Sequence, residues 1–173
     1  MGSMKITIIG HSGSGKSTLA TQISERLHIP HLHLDRLWFA IDGHKLRISD
    51  VDGKEKARAI MRKQVTEFLE THDAWVSDGW YGKTQLLIAE QADQIIFLDI
   101  PLWRRLLNCI YRTFCTKRHP ELTKWDDIRH LYHVIRRTYV HRPAIRALLR
   151  EYADKTIVLH SHAEANTYLA GLH

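Results

Sequence analysis

Cysteine is nearly missing from this chain of 173 residues: it has two, Cys109 and Cys115. Their spacing fits no metal-ligand or redox pattern, which excludes a disulfide scaffold or a zinc module and leaves reduced thiols packed in a core. No stretch is rich in proline, glycine and serine, and neither an internal repeat nor a low-complexity tract is present. A linker between domains is therefore not expected, and residues 4–173 read as a single domain. Met1–Ser3 resembles a cloning remnant ahead of a natural start at Met4 and is set aside from fold reasoning. No apolar run approaches the roughly 20 residues that span a bilayer. With no signal peptide either, the expected location is the cytoplasm, without a membrane partner.

What the chain does have is a 44% hydrophobic and 25% charged composition, ordinary for a globular domain of this size. Its formal charge of +6 favours anionic partners, a condition that nucleotide phosphates and nucleic acid meet equally. Short apolar runs alternate with helical periodicity. Strands are expected at 5–9, 31–35, 75–78, 94–100 and 156–159. Helices are expected at 17–27, 54–71, from Pro101 onward, 126–141, from Pro143 to 152, and 163–169. This alternation predicts an α/β fold with a parallel sheet, whose ligands collect beyond the carboxyl ends of the strands.

Directly after the first strand comes Gly10-His11-Ser12-Gly13-Ser14-Gly15-Lys16-Ser17-Thr18. It satisfies G-x-x-x-x-G-K-[ST], with a strand before it and a helix after it. Glycines let successive N–H groups turn inward as an anion nest, and the helix adds its positive end. Lys16 would bridge the β- and γ-phosphates, and the Ser17 hydroxyl would ligate Mg²⁺. ATP and Mg²⁺ are thus the expected cofactors.

The metal also needs a carboxylate at a neighbouring strand end. Asp78, followed by Gly79, is preferred to Asp99, whose position before Ile100-Pro101 reads as a helix entry. Asp35, placed at the end of the second strand, has two readings: it orients or deprotonates a hydroxyl acceptor, or it caps a loop. His31 and His33 alternate on that strand, but with no further convergent carboxylate or cysteine set a structural metal is not expected.

Four segments together carry a resemblance: Ile8–Thr18, His31–Trp38, Trp75–Gly79 and Ala92–Pro101. On these the chain resembles the DNA topology modulation proteins, which are similar to adenylate kinases. The resemblance implies a P-loop three-layer sandwich, a five-stranded parallel sheet of nucleotide-kinase type and a small helical lid. It implies that Asp78-Gly79 serves metal and acceptor phosphate. The continuation departs from the adenylate kinase Phe-Pro-Arg, reading Trp80-Tyr81-Gly82-Lys83, with Lys83 as a point charge in place of arginine. In such kinases the region after Pro101 leads to a lid, here expected to turn near His119-Pro120. Arg112 and Arg118 are the expected clamp on the transferring phosphoryl group.

Trp103, Leu106, Leu107, Ile110 and Phe114 are expected to face the core, with Arg104, Arg105 and Arg112 on the opposite side. Ile128, Leu131, Tyr132, Ile135 and Tyr139 form a second stripe read as core. His160–Ala163 follows the fifth strand, where related kinases hold the adenine base; its other reading is a loop and helix cap alone. Two functions follow as expectations. One is ATP-dependent transfer to a small acceptor lying near Asp35, Trp38 and Lys83. The other is a nucleotide-gated regulator that binds DNA or a protein partner. Oligomeric state is not legible.

Overall fold

The computed structural model describes residues 4–46, 50–115 and 124–172, with the backbone alone described for 112–115, 124–131, 133 and 137. Its strands are β1 (Lys5–Gly10), β2 (His31–His33), β3 (Trp75–Asp78), β4 (Gln94–Leu98) and β5 (Thr156–Leu159). Its α-helices are α1 (Lys16–Leu27), α2 (Leu34–Ala40), α3 (Val51–Thr71), α4 (Lys83–Gln91), α5 (Leu102–Cys115), α6 (Lys124–Glu151) and α7 (His162–Ala170). The five strands are all parallel, in the order β2-β3-β1-β4-β5.

Alternation along the strands builds the three layers, because successive side chains leave opposite faces of a sheet. Ile9 of β1 and Ile95 and Phe97 of β4 pack with Met61, Val65 and Leu69 of α3, Ile88 of α4 and Ile145 of α6. Their neighbours Ile6, Ile8, Ile96 and Leu98 pack on the other side with Leu19, Ala20 and Ile23 of α1 and Ala165 of α7. The register pairs Ile8 with Asp78 and His33 with Asp78, so β1, β3 and β2 bring their carboxyl ends to one rim. Among the described residues no helix is long and apolar enough to cross a membrane.

Several local expectations are corrected. The second strand stops at His33, and Leu34 is already helical, so Asp35 sits in the first turn of α2 rather than at a strand end. Leu34 is fully buried, and its seat in the core turns the chain into the helix. The fourth strand ends at Leu98, short of the expected Ile100. Helix α4 was not expected; it is a short element carrying Ile88 and Ala89 into the core.

Pro143 lies inside α6 instead of starting a new helix. The ring removes a single backbone donor, and the buried Ile145 and Leu148 beyond it keep the segment on the sheet.

The faces of α5 and α6 are also corrected. Trp103 (58% exposed), Leu107 (55%) and Ile110 (38%) point outward, whereas Arg105 and Cys109 are buried. On α6, Tyr132 and Tyr139 are exposed as well. The side of α5 turned to Ser12, Gly13 and Thr138 carries Arg105: its Nε donates to the Ile100 carbonyl at 2.9 Å, and its Nη1 donates to Thr138 Oγ1 at 3.0 Å. The same nitrogen reaches the Ser12 carbonyl at 3.5 Å. These partners are what a buried guanidinium requires, since an unpartnered buried charge is costly. The expected lid turn and Arg118 lie outside the described residues, and Arg112 is described only as backbone within α5.

Candidate active site

The turn between β1 and α1 is the candidate phosphate cradle. Gly13 and Gly15 hold φ of +80° and +92°, the left-handed region that glycine enters without steric cost. Gly13 also packs against α5: a Cβ there would lie 2.6 Å from the Arg105 carbonyl oxygen and 2.8 Å from Cys109 Sγ. Ser14 N donates to the His11 carbonyl at 3.2 Å, closing the turn. Lys16 Nζ donates to that same carbonyl at 3.1 Å, so the lysine folds over the loop it belongs to. The buried Ser14 hydroxyl has no hydrogen-bond partner among the described residues.

Neighbouring elements hold the loop from outside. Asn108 Nδ2 donates to the Gly13 carbonyl at 2.9 Å, and His162 Nε2 donates to the Ser14 carbonyl at 3.1 Å. Sequence reading missed the roles of Asn108 and Arg105, which stand at i and i+3 and so share one side of α5. His162 follows Ser161, which caps α7 by accepting from Glu164 N at 3.1 Å.

Beside the cradle, Ser17 Oγ donates to Asp78 Oδ2 at 2.5 Å. The two residues assigned to the metal are therefore in contact. An alcohol and a carboxylate oxygen are the hard donors that Mg²⁺ prefers, and the pair fits that ion. Asp99, the competing carboxylate, is exposed and stands 3.8 Å from His160 Nδ1.

The other oxygen of Asp78 is also engaged. His31 Nε2 lies 2.8 Å and His33 Nδ1 3.0 Å from Oδ1. The carboxylate thought to be missing beside these histidines is thus Asp78, brought in by the β2–β3 pairing. Burial opposes ionisation of Asp78, but the hydrogen bonds from His31 and Ser17 outweigh it and hold the carboxyl below its usual range. His33 is shifted down by burial and by neighbouring His31. Burial, with Arg105 and Lys16 nearby, lowers His11 to about 4.

Two hollows meet here. The larger, about 470 Å³, is lined by Gly15, Lys16, Ser17, Thr18, Asp35 and His162 among others. The smaller, about 90 Å³, is lined by Gly10, His11, Asp35, Gly79, Trp80 and His141 among others. Ser12, Lys16 and Asp35 line both. Tyr81 Oη donates to Asp35 Oδ1 at 2.7 Å, and its ring packs on Trp38 with centroids 5.7 Å apart. Lys83 opens α4 and lines neither hollow.

This fold recurs in known structures. A shikimate kinase from Bacteroides thetaiotaomicron superposes with a TM-score of 0.62 over 96% of this chain and 94% of that one, at 16% identity. The chain has the shikimate kinase fold. TT1252 from Thermus thermophilus shares it with a TM-score of 0.60 at 19% identity, covering 100% of both chains. A shikimate kinase from Acinetobacter baumannii, solved in complex with shikimate, gives 0.55 at 21% identity over 96% and 91%. In sequence, the shikimate kinase of Sulfurihydrogenibium sp. (strain YO3AOP1) is 26% identical over 101 residues, 56% of this chain. That match spans 61% of the relative's length. No family model matches the chain.

Proposed function

We propose that the protein is an ATP-dependent, Mg²⁺-requiring phosphotransferase that acts on a small hydroxyl-bearing acceptor. The observation that carries this reading is the position of Asp35, which with Lys16 and Ser12 lines both hollows. ATP would occupy the larger hollow, with its phosphates in the nest of residues 10–18. The acceptor would occupy the smaller one, against Gly79, Trp80 and His141. Ser17 and Asp78 would hold Mg²⁺, which supplies neutralising charge to the phosphates when bound.

In this arrangement Lys16 leaves the His11 carbonyl for the phosphate oxygens, a short swing of a flexible side chain. Asp35, oriented by the Tyr81 hydroxyl, accepts a hydrogen bond from the attacking hydroxyl and aligns it with the γ-phosphorus. Phosphoryl transfer depends on such alignment and on charge more than on basicity. Arg112 and Arg118 are proposed as the clamp that follows substrate binding. The name of the curated relative supports a hydroxyl acceptor, and shikimate belongs in the first set of compounds to try.

The test is acceptor-stimulated ADP release, measured over a panel of hydroxy acids, nucleosides, nucleoside monophosphates and sugars. One class should raise the rate well above basal hydrolysis. Asp35→Asn should lower kcat for that acceptor by about a hundredfold or more, within the range for a positioned proton acceptor, with ATP affinity unchanged. Stimulation by DNA alone, with no acceptor phosphorylated, would overturn the proposal and favour the regulator.

A further inference from the structure

Asp78 is a carboxylate with two differently furnished oxygens. Oδ2 faces Ser17, while Oδ1 faces two imidazole nitrogens. The second arrangement follows from strand geometry: residues two apart on β2 project from one face, so His31 and His33 lie side by side, their ring centroids 3.4 Å apart. Register then sets Asp78 opposite His33.

The three donor atoms all lie within 4.8 Å of one another. The side chains are largely withdrawn from water, at 9%, 17% and 4% exposure for His31, His33 and Asp78. Ligands at about 2.0–2.2 Å from a metal stand about 3.0 Å apart when adjacent in an octahedron and about 3.4 Å apart in a tetrahedron. The observed separations of 2.8 and 3.0 Å from Oδ1 therefore need to open by only a few tenths of an ångström. Two imidazoles and one carboxylate suit a first-row transition ion, whereas Mg²⁺ and Ca²⁺ prefer all-oxygen sets.

We propose that His31 Nε2, His33 Nδ1 and Asp78 Oδ1 form a binding site for a divalent transition-metal ion such as Zn²⁺, distinct from the Ser17–Asp78 Oδ2 pair. Each neutral imidazole would turn its lone pair to the ion and carry its proton on the other ring nitrogen, so the ring's charge does not change. Water would complete the coordination. Both ions would share one carboxylate, which gives the site a direct route to the phosphate end. The proposal does not rest on phosphotransfer, because the ion can be bound without nucleotide.

The experiment titrates Co²⁺ into the metal-stripped full chain without nucleotide and follows its visible d–d absorption. One equivalent should give the bands of nitrogen-bound Co²⁺, and Zn²⁺ should bleach them. His31→Gln and His33→Gln should each weaken binding by at least about tenfold, while His160→Gln leaves it unchanged. Because a ligand variant can also disturb folding, the unmutated protein is examined by imidazole ¹H–¹⁵N correlation during Zn²⁺ titration. The ring nitrogens of His31 and His33 should move at one equivalent, ahead of the other histidines. Binding that survives both substitutions, or ring shifts confined to other histidines, would overturn the proposal.

Discussion

The cradle at the ends of β1 and β3 and the helix α5 that flanks it follow opposite logic. In the cradle, glycines, Lys16, Ser17 and Asp78 stand where a motif and a strand end put them, and Ser17 meets Asp78 directly. In α5 the strongest pattern is an apolar stripe, yet Trp103, Leu107 and Ile110 face solvent while Arg105 is buried. Amphipathicity says that a helix has two faces; it does not say which one the protein needs inside. Here the polar face is needed, because Arg105, Asn108 and Cys109 brace the outside of the phosphate loop.

That contrast is most sharply broken at Gly13, where the two regions touch. Gly13→Ala would drive a methyl into the Arg105 carbonyl and Cys109, at a residue with φ of +80°. The strain is worth about 1–3 kcal/mol, and the loop should shift enough to weaken ATP binding more than about tenfold, since 1.4 kcal/mol is a factor of ten. Calorimetric titration with ATP checks it. Binding as tight as in the unmutated protein would show that α5 does not constrain the loop.

A smaller effect separates the two arginines that adjoin in sequence. Arg105→Leu should cost about 1–3 kcal/mol in urea unfolding, because it leaves the Ile100 carbonyl and its partners unsatisfied. Arg104→Ala should stay within about 0.5 kcal/mol, as surface substitutions do. Equal losses would return Arg105 to the solvent-facing side on which periodicity first placed it.

A pH-dependent effect belongs to His11. Its pKa is lowered from 6.5 to about 4 by burial and by Arg105 and Lys16, so between these values the unfolded chain binds the extra proton. Stability should therefore rise with pH across that window and fall as pH drops from 6.5 toward 4. His11→Gln should flatten this part of the urea-midpoint profile, and an unchanged slope would contradict the assignment.

How far the molecule could be read in advance follows the same division. The strands at 75–78 and 156–159 were legible because short buried apolar runs bounded by turn signals have few other fates. The carboxylate beside Ser17 was legible because parallel sheets put ligands beyond strand ends. Helix α2 was not, since a three-residue strand followed at once by a helix reads as one extended run, and Asp35 was misplaced by that fusion. The meeting of His31 and His33 with Asp78 needs the β2–β3 register, which arises from pairing between segments about 45 residues apart and leaves no local trace. Arg105 was missed because periodicity assigns charge to water by default.

The central claim is that the phosphate held by residues 10–18 is handed to a hydroxyl in the hollow beside Asp35. ³¹P NMR of ATP, Mg²⁺ and the stimulating acceptor tests it most directly. The unmutated protein should produce a phosphomonoester resonance in step with ADP, and Lys16→Ala should produce neither. Inorganic phosphate as the sole product, or an undiminished phosphomonoester signal from Lys16→Ala, would contradict it.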